Sequence, residues 1–354
     1  MSIRVVHLPA STPYARKLDG GGIEAVNGQT LPDGATVPAA VSARWLVEHR
    51  PLNWVDVVHL HHVEFEAIDD LERLLSECHD AGVHVVHTVH DLRAMFGSQE
   101  ALEERFRMLA KADASWVALT PGAASEVDRV VGSPCRATVI PHGFVVHPDD
   151  VVSAARPHEA RTRYLLFGAT RPNREQLATV VNWSLATRPE DSLHLLMRGI
   201  SPAHLADRDD VYRVIDTTRN DSRIDVTMRG YPTDTEIMTA AHAADVLLLP
   251  YLWGTHSGQL ELAFDLGLLP VVSRVGYLHQ QHERIRDLVE EPVWFNWTDG
   301  NPYAFGERFV KALQAVPDRA EQRSPWDHRA FAEFRRSEHE EILAAHVAVY
   351  EVPA

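Results

Sequence analysis

The sequence predicts an α/β protein built from two parallel sheets in tandem. Three observations carry this. Short apolar runs alternate with helix-compatible stretches along the whole chain, the pattern of parallel βαβ units. The alternation breaks once, over 142–161, where Pro148, Pro157, several charges and no strong periodicity mark a junction. Finally, 354 residues are too many for one typical domain and comfortable for two.

In the first half, apolar runs place strands at 4–8, 55–60, 83–89, 115–119 and 137–140, with helix-compatible stretches over 37–48, 65–81, 99–110 and 122–131 between them. In the second half the runs recur at 163–167, 192–197, 224–228, 245–249, 269–272 and 293–295. The end of the chain, 325–350, reads as a helix with Trp326, Phe331, Phe334, Ile342, Val347 and Tyr350 as packing positions. The expected domains are therefore 1–145 and 146–325, both Rossmann-like, and a helix over 326–354 that packs back on the first domain. Open parallel sheets bind ligands beyond the carboxyl ends of their strands, so the expected site is the cleft between the domains, where closure excludes water.

Composition narrows the partners. The net charge of −16 argues against nucleic acid and against anionic lipid surfaces. In the first half, Glu64, Glu66, Asp69, Asp70, Glu72, Glu100, Glu103 and Glu104 crowd two expected helices. They read as solvated helix faces, or as a field that attracts a cationic substrate. No run approaches a membrane-spanning length, and MSIRVVHLPAS lacks a secretory signal's basic start and long apolar core, so a cytoplasmic protein is expected. Cys78 and Cys135 read as reduced, structural thiols.

The most informative segment is Ala244 to Ser273, a strand, loop, helix and strand. The loop carries Gly254, Thr255, His256, Ser257 and Gly258 where it enters the helix. Unpaired N–H groups and the helix dipole there favour a phosphate. Glu261 follows about one turn later, with reach enough for a ribose. An ordinary parallel-sheet unit with a Gly/Ser turn would read the same way. A second segment, Tyr164 to Gln176, ends a strand at Gly168 and sets Arg171 and Arg174 at the next helix start. Two guanidiniums there suit a diphosphate, although solvated loop arginines are an equal reading. His59, His61, His62, His84, His87 and His90 invite a metal. Strand alternation separates His62 from His59 and His61, and no cysteine or carboxylate completes a tetrahedral set, so no metal centre is expected. Asp69–Asp70 and Asp209–Asp210 read as exposed charges rather than a metal-binding pair.

In order and spacing, these motifs resemble the retaining nucleotide-sugar glycosyltransferases of the GT-B fold, of the large family-four type. FGATRPNRE is similar to that family's strand-end motif, RGYPTDTEIMTAAHAADVLLLPY to its second-domain segment, THSG to its donor loop, and VIPHG to the signature closing the first domain. The resemblance implies a nucleoside diphosphate sugar as donor substrate, a small polar acceptor, and neither cofactor nor metal; the acidic first half alone suggests a cationic natural-product scaffold as that acceptor. The resemblance also implies that Arg171 and Arg174 hold the diphosphate, that Gly168 is among the donor-binding residues, and that Ser257 and Gly258 offer N–H groups to the distal phosphate. Thr255 and His256 complete that loop. Glu261 would hold the ribose, Tyr231 would lie near the base, and His90 near the transferred sugar. The turn at Gly20, Gly21 and Gly22 would let the backbone approach phosphate and acceptor.

One position departs from the family. Trp253 stands eight residues before Glu261, where the family has a sugar-binding glutamate. This implies an unusual donor read by stacking on Trp253, or lost catalysis. Glu175, in place of the family's glycine, is a smaller departure. Two other functions share the architecture: a nucleotide-sugar epimerase, and a non-catalytic nucleotide-sugar-binding partner protein.

Overall fold

The computed structural model describes residues 2–32, 34–49, 51–151, 161–198, 209–230, 232–297, 302–321 and 327–351. They fall into two compact units, Met1–Val145 with Phe334–Ala354, and Val146–Glu333.

The first unit is a six-stranded sheet of β1 (Ile3–Leu8), β2 (Ile23–Ala25), β3 (Val57–Leu60), β4 (His84–Val89), β5 (Ser115–Ala118) and β6 (Thr138–Val139). Every pairing is parallel, in the order β2-β1-β3-β4-β5-β6. Its helices are α1 (Ala43–His49), α2 (Ile68–Ala81), α3 (Gln99–Lys111) and α4 (Pro121–Val131). Leu71, Leu74, Leu75 and Cys78 recur at helical spacing and bury one face of α2. Gly82 ends that helix in the left-handed conformation and closes its last carbonyls. Thr120 caps α4 ahead of Pro121, a pairing that suits a helix start.

Two boundaries differ from the sequence reading. Val37 is hydrogen-bonded to Gly28 and Gln29 in a loop, so the first helix begins at Ala43, whose N–H is taken by the buried Glu66 carboxylate. Residues Val63–Phe65 form a 3-10 turn, so α2 begins at Ile68 rather than at 65. The three-residue strand β2 was not expected, because so short a run carries no periodic signal.

The second unit holds β7 (Arg163–Gly168), β8 (Ser192–Arg198), β9 (Ile224–Arg229), β10 (Val246–Leu249), β11 (Leu269–Ser273) and β12 (Val293–Phe295). The order is β12-β11-β10-β7-β8-β9, again all parallel. The described helices here are α5 (Gln176–Ala186), α6 (Asp209–Thr218), α7 (Asp234–His242), α8 (Gly258–Asp265), α9 (Leu278–Glu283) and α10 (Pro302–Glu321). Trp183, Phe295, Phe305 and Phe309 fill the core on one face. A capping box, Thr233 with Glu236, starts α7.

The last helix, α11 (His328–Tyr350), ends in the first unit. Ile342, Leu343, Val349 and Tyr350 share a core with Val5, Val57, Val86 and Val117, covering the sheet face that α1 and α2 leave bare. Trp326, expected to pack here, lies outside the described residues. Among the described residues, no helix is long and apolar enough to cross a membrane.

Each sheet has one topological switch point. In the first unit the strand order reverses between β1 and β3, and in the second between β7 and β10. Loops leaving the carboxyl ends of such a strand pair diverge and open a crevice for a ligand.

Candidate functional site

Both segments singled out in the second half leave from the β7/β10 switch point, Gly168 ending β7 and Pro250 following β10. Arg174 joins them. Its backbone pairs with Tyr251 in an isolated antiparallel bridge, and Glu175 N–H donates to the Pro250 carbonyl at 2.9 Å. Its Nη1 donates to the Phe167 carbonyl at 3.0 Å and its Nη2 to Tyr251 Oη at 3.3 Å, with the guanidinium 5.1 Å above the Tyr251 ring. Gly168 makes room for this group. At φ +109°, a Cβ there would lie 2.8 Å from Arg174 Nη1. Arg171 is in the same loop with its side chain exposed. Glu175 caps α5 by accepting the Ala178 N–H.

Tyr251 carries the connection onward, its hydroxyl 2.7 Å from Ser257 Oγ. Ser257 Oγ also caps α8 by accepting the Leu260 N–H at 3.1 Å. The Ser257 N–H itself is taken by Gln281 Oε1 at 2.8 Å, so it is not offered to a phosphate as the sequence suggested. Among the described residues, the N–H groups of Gly258 and Gln259 have no protein acceptor, as at the open first turn of a helix. Gln259 also leans on the first loop, its Nε2 3.3 Å from the Phe167 carbonyl.

Glu261 faces away from solvent at 1 % exposure. Gln281 Nε2 donates to its Oε1 at 2.9 Å, and Arg284 Nη2 forms an ion pair with the same oxygen at 3.4 Å. Thr255 is buried, and His256 and Trp253 are partly buried in the same loop. Gly276 presses on that loop so closely that a Cβ would fall 1.8 Å from the Gly254 carbonyl oxygen.

Thus Arg174, Ser257 and Glu261 belong to one hydrogen-bonded unit running through Tyr251 and Gln281, with Gly168 packed against Arg174 and Gly258 following Ser257 at the start of α8. Tyr231, expected near the base, lies outside the described residues. Sequence reasoning missed Tyr251, Gln281 and Arg284. Tyr251 stands inside a quoted motif and could have been weighed there. Gln281 and Arg284 stand 20 and 23 positions after Glu261, with no motif to flag them.

In the first unit, the β1/β3 switch point carries a cluster of buried rings. His7 Nδ1 and His61 Nε2 are 3.0 Å apart, and His61 Nδ1 is 3.4 Å from His90 Nε2. His59 bonds Tyr350 Oη and Thr88 Oγ1, both at 2.7 Å. His90 stacks on His62 at 4.6 Å and meets the edge of Tyr14 at 5.5 Å. Burial pushes His7 down to about 3 and holds His59 and His61 well below the ordinary histidine value, so these rings are neutral.

His7, missed by sequence reasoning, brings a ring nitrogen within 4.8 Å of nitrogens on His59 and His61. The donor set fits a metal poorly. It contains no carboxylate or thiolate to offset a buried dication, and both His59 nitrogens are already bonded. The group is a hydrogen-bonded polar layer.

Gly20, Gly21 and Gly22 are all at positive φ, and at Gly21, φ +58°, a Cβ would also lie 3.1 Å from Leu343 of α11. Gly143 of VIPHG is likewise at positive φ, with a would-be Cβ 2.5 Å from Ile342.

No family model matches the chain, and no curated protein sequence matches it. Solved structures do. The HepE protein of Anabaena in complex with UDP superposes with a TM-score of 0.61 at 14 % identity, covering 98 % of this chain and 100 % of that one. The α,α-trehalose 6-phosphate synthase of Burkholderia multivorans gives 0.59 at 13 %, covering 99 % and 98 %. The sucrose-phosphate synthase of Thermosynechococcus elongatus gives 0.56 at 14 %, covering 99 % and 96 %. At such identity the likeness is one of fold.

Proposed function

We propose that this protein is a glycosyltransferase that moves a sugar from a nucleoside diphosphate sugar to a small polar acceptor, with retention of configuration and without a metal. One observation carries the reading. The N-terminus of α8, the Arg174 guanidinium and the Glu261 carboxylate are joined in one hydrogen-bonded unit at a sheet switch point. The helix N-terminus and guanidinium suit a diphosphate, and the carboxylate suits vicinal hydroxyls. HepE, similar in fold, was also solved with UDP-glucose, a donor of this class.

In this scheme Arg174 and the first N–H groups of α8 meet the charge that grows on the diphosphate as its bond to the sugar breaks. Arg171 adds a second cation from the same loop. On the resemblance, His90 is the residue that would lie near the transferred sugar. Trp253 offers a ring to the sugar's apolar face in place of a carboxylate. That same replacement favours a second reading, a nucleotide-sugar-binding protein without turnover.

Calorimetry with UDP and GDP, followed by assay of donors with acceptor mixtures, tests the proposal. Binding is expected to weaken by about tenfold or more in Arg174→Ala, the loss of a charge-assisted bond. Turnover is expected only with acceptor present, and unchanged by a metal chelator. Acceptor-independent turnover points to an epimerase, and binding without turnover to the second reading. Failure to bind any nucleoside diphosphate ends the proposal.

A further inference from the structure

We propose that the loops after β3 and β4 form a subsite for an aromatic ring that bears a hydroxyl, with Phe65 and Phe96 seating the ring and His62 receiving the hydroxyl. The proposal rests on the transferase reading above and narrows its acceptor to one chemical class. It lies wholly in the first unit.

Two independent observations meet there. The first is apolar. Phe65 is 56 % exposed and Phe96 47 %, and among the described residues they are the only exposed phenylalanines. They come from different loops, yet their ring centroids lie 5.4 Å apart. The strands that carry these loops are neighbours, and ligands of such sheets bind beyond the carboxyl ends of the strands. A flat apolar ligand that covers both rings removes them from water and adds ring-to-ring contacts.

The second observation is polar. His62 Nδ1 lies 3.4 Å from Glu64 Oε1. Burial pushes the Glu64 carboxyl up, but His62 beside it outweighs this and holds it below the ordinary carboxylate value. A carboxylate only accepts, so the ring proton belongs on Nδ1 and the lone pair on Nε2. Nε2 takes no hydrogen bond among the described residues, and the His62 side chain is 22 % exposed. Glu64 thus turns an accepting nitrogen toward an incoming hydroxyl. His62 also joins the two observations, its ring 5.6 Å from Phe65 and stacked on His90 at 4.6 Å. Two exposed rings are too small an apolar surface for a stable protein interface, and the net charge of −16 disfavours an anionic membrane. The occupant is a small ligand.

The experiment titrates the full chain with 2-naphthol, with its saturated counterpart decahydro-2-naphthol, and with 2-methylnaphthalene, read by ligand-observed NMR. 2-Naphthol is expected to bind about threefold or more tighter than either of the others. Phe65→Ala combined with Phe96→Ala should weaken 2-naphthol by about tenfold and erase its advantage over the saturated alcohol. His62→Phe keeps a ring on His90 and should erase only the advantage over 2-methylnaphthalene. Glu64→Ala, which frees the His62 ring to turn, should do the same and stands in if His62→Phe fails to fold. Nucleoside diphosphate affinity should hold in every variant. A wild type that does not bind 2-naphthol, or binds all three probes alike, overturns the subsite. So does a preference that survives all these substitutions. Capture by phosphatidylcholine vesicles that the double phenylalanine variant abolishes, without binding of 2-naphthol, overturns it in favour of a lipid surface. A wild type that binds no nucleoside diphosphate ends the transferase reading instead, while the probe preferences still report on the subsite alone.

Discussion

Gly168 and Arg174 show how one residue admits another. The glycine is at φ +109°, a conformation that side chains rarely adopt, and its missing Cβ is the space in which Arg174 Nη1 reaches the Phe167 carbonyl. Gly168→Ala is expected to have two effects. Backbone strain costs on the order of 1–3 kcal/mol of stability, read in a denaturant titration. The guanidinium is also displaced, and nucleoside diphosphate affinity falls with it in calorimetry. Loss of stability with affinity intact would detach Arg174 from the phosphate grip. Arg174 and Glu261 were both legible in the sequence, because each stands in a motif whose spacing to a strand end is short. Gln281 was not legible, because its partners are 24 and 20 residues away and only the fold brings them together.

Among the elements, α8 has an N-terminus that both closes on itself and stays open. Ser257 Oγ satisfies Leu260 N–H and holds Tyr251, while the Gly258 and Gln259 N–H groups find no acceptor among the described residues. Ser257→Ala is expected to cost about 1 kcal/mol through the lost cap. It should also weaken diphosphate binding, because Tyr251 loses its tie to the helix while still carrying Arg174. A melting shift accompanied by unchanged binding would confine Ser257 to a structural role. The strand and helix alternation was legible throughout both halves, since buried parallel strands declare themselves as apolar runs. The short β2 and the start of α1 were not, because they depend on contacts made by Gly22, Gly28 and Glu66.

For the molecule as a whole, the buried histidines predict an acid limit. His7 sits at about 3, and His87 and His346 at about 4, all lowered first by burial. The unfolded chain binds these protons near the ordinary histidine value and the folded protein does not. Stability is therefore fully present above about pH 6.5 and is lost as pH falls toward 4, by on the order of 1 kcal/mol per pH unit for each such ring. Denaturation midpoints measured from pH 7.5 to 4.5 should fall over that window, and His346→Gln should flatten the slope. A slope unchanged by that variant would remove His346 as a contributor.

Sequence by itself determined the two-sheet architecture and the loops that leave the strand ends after Gly168 and Leu249. These are local properties: hydrophobic period, turn chemistry and residues a few positions apart. Only the tertiary structure decided that Arg174 reaches Ser257 through Tyr251 and that Gln281 holds Glu261. It alone showed that His7 joins His59 and His61 in a neutral polar layer, and that the turn at Gly21 passes close to Leu343 of α11. Each of these is a contact between residues far apart in the chain, set by strand order and helix packing, and neither leaves a mark on local sequence.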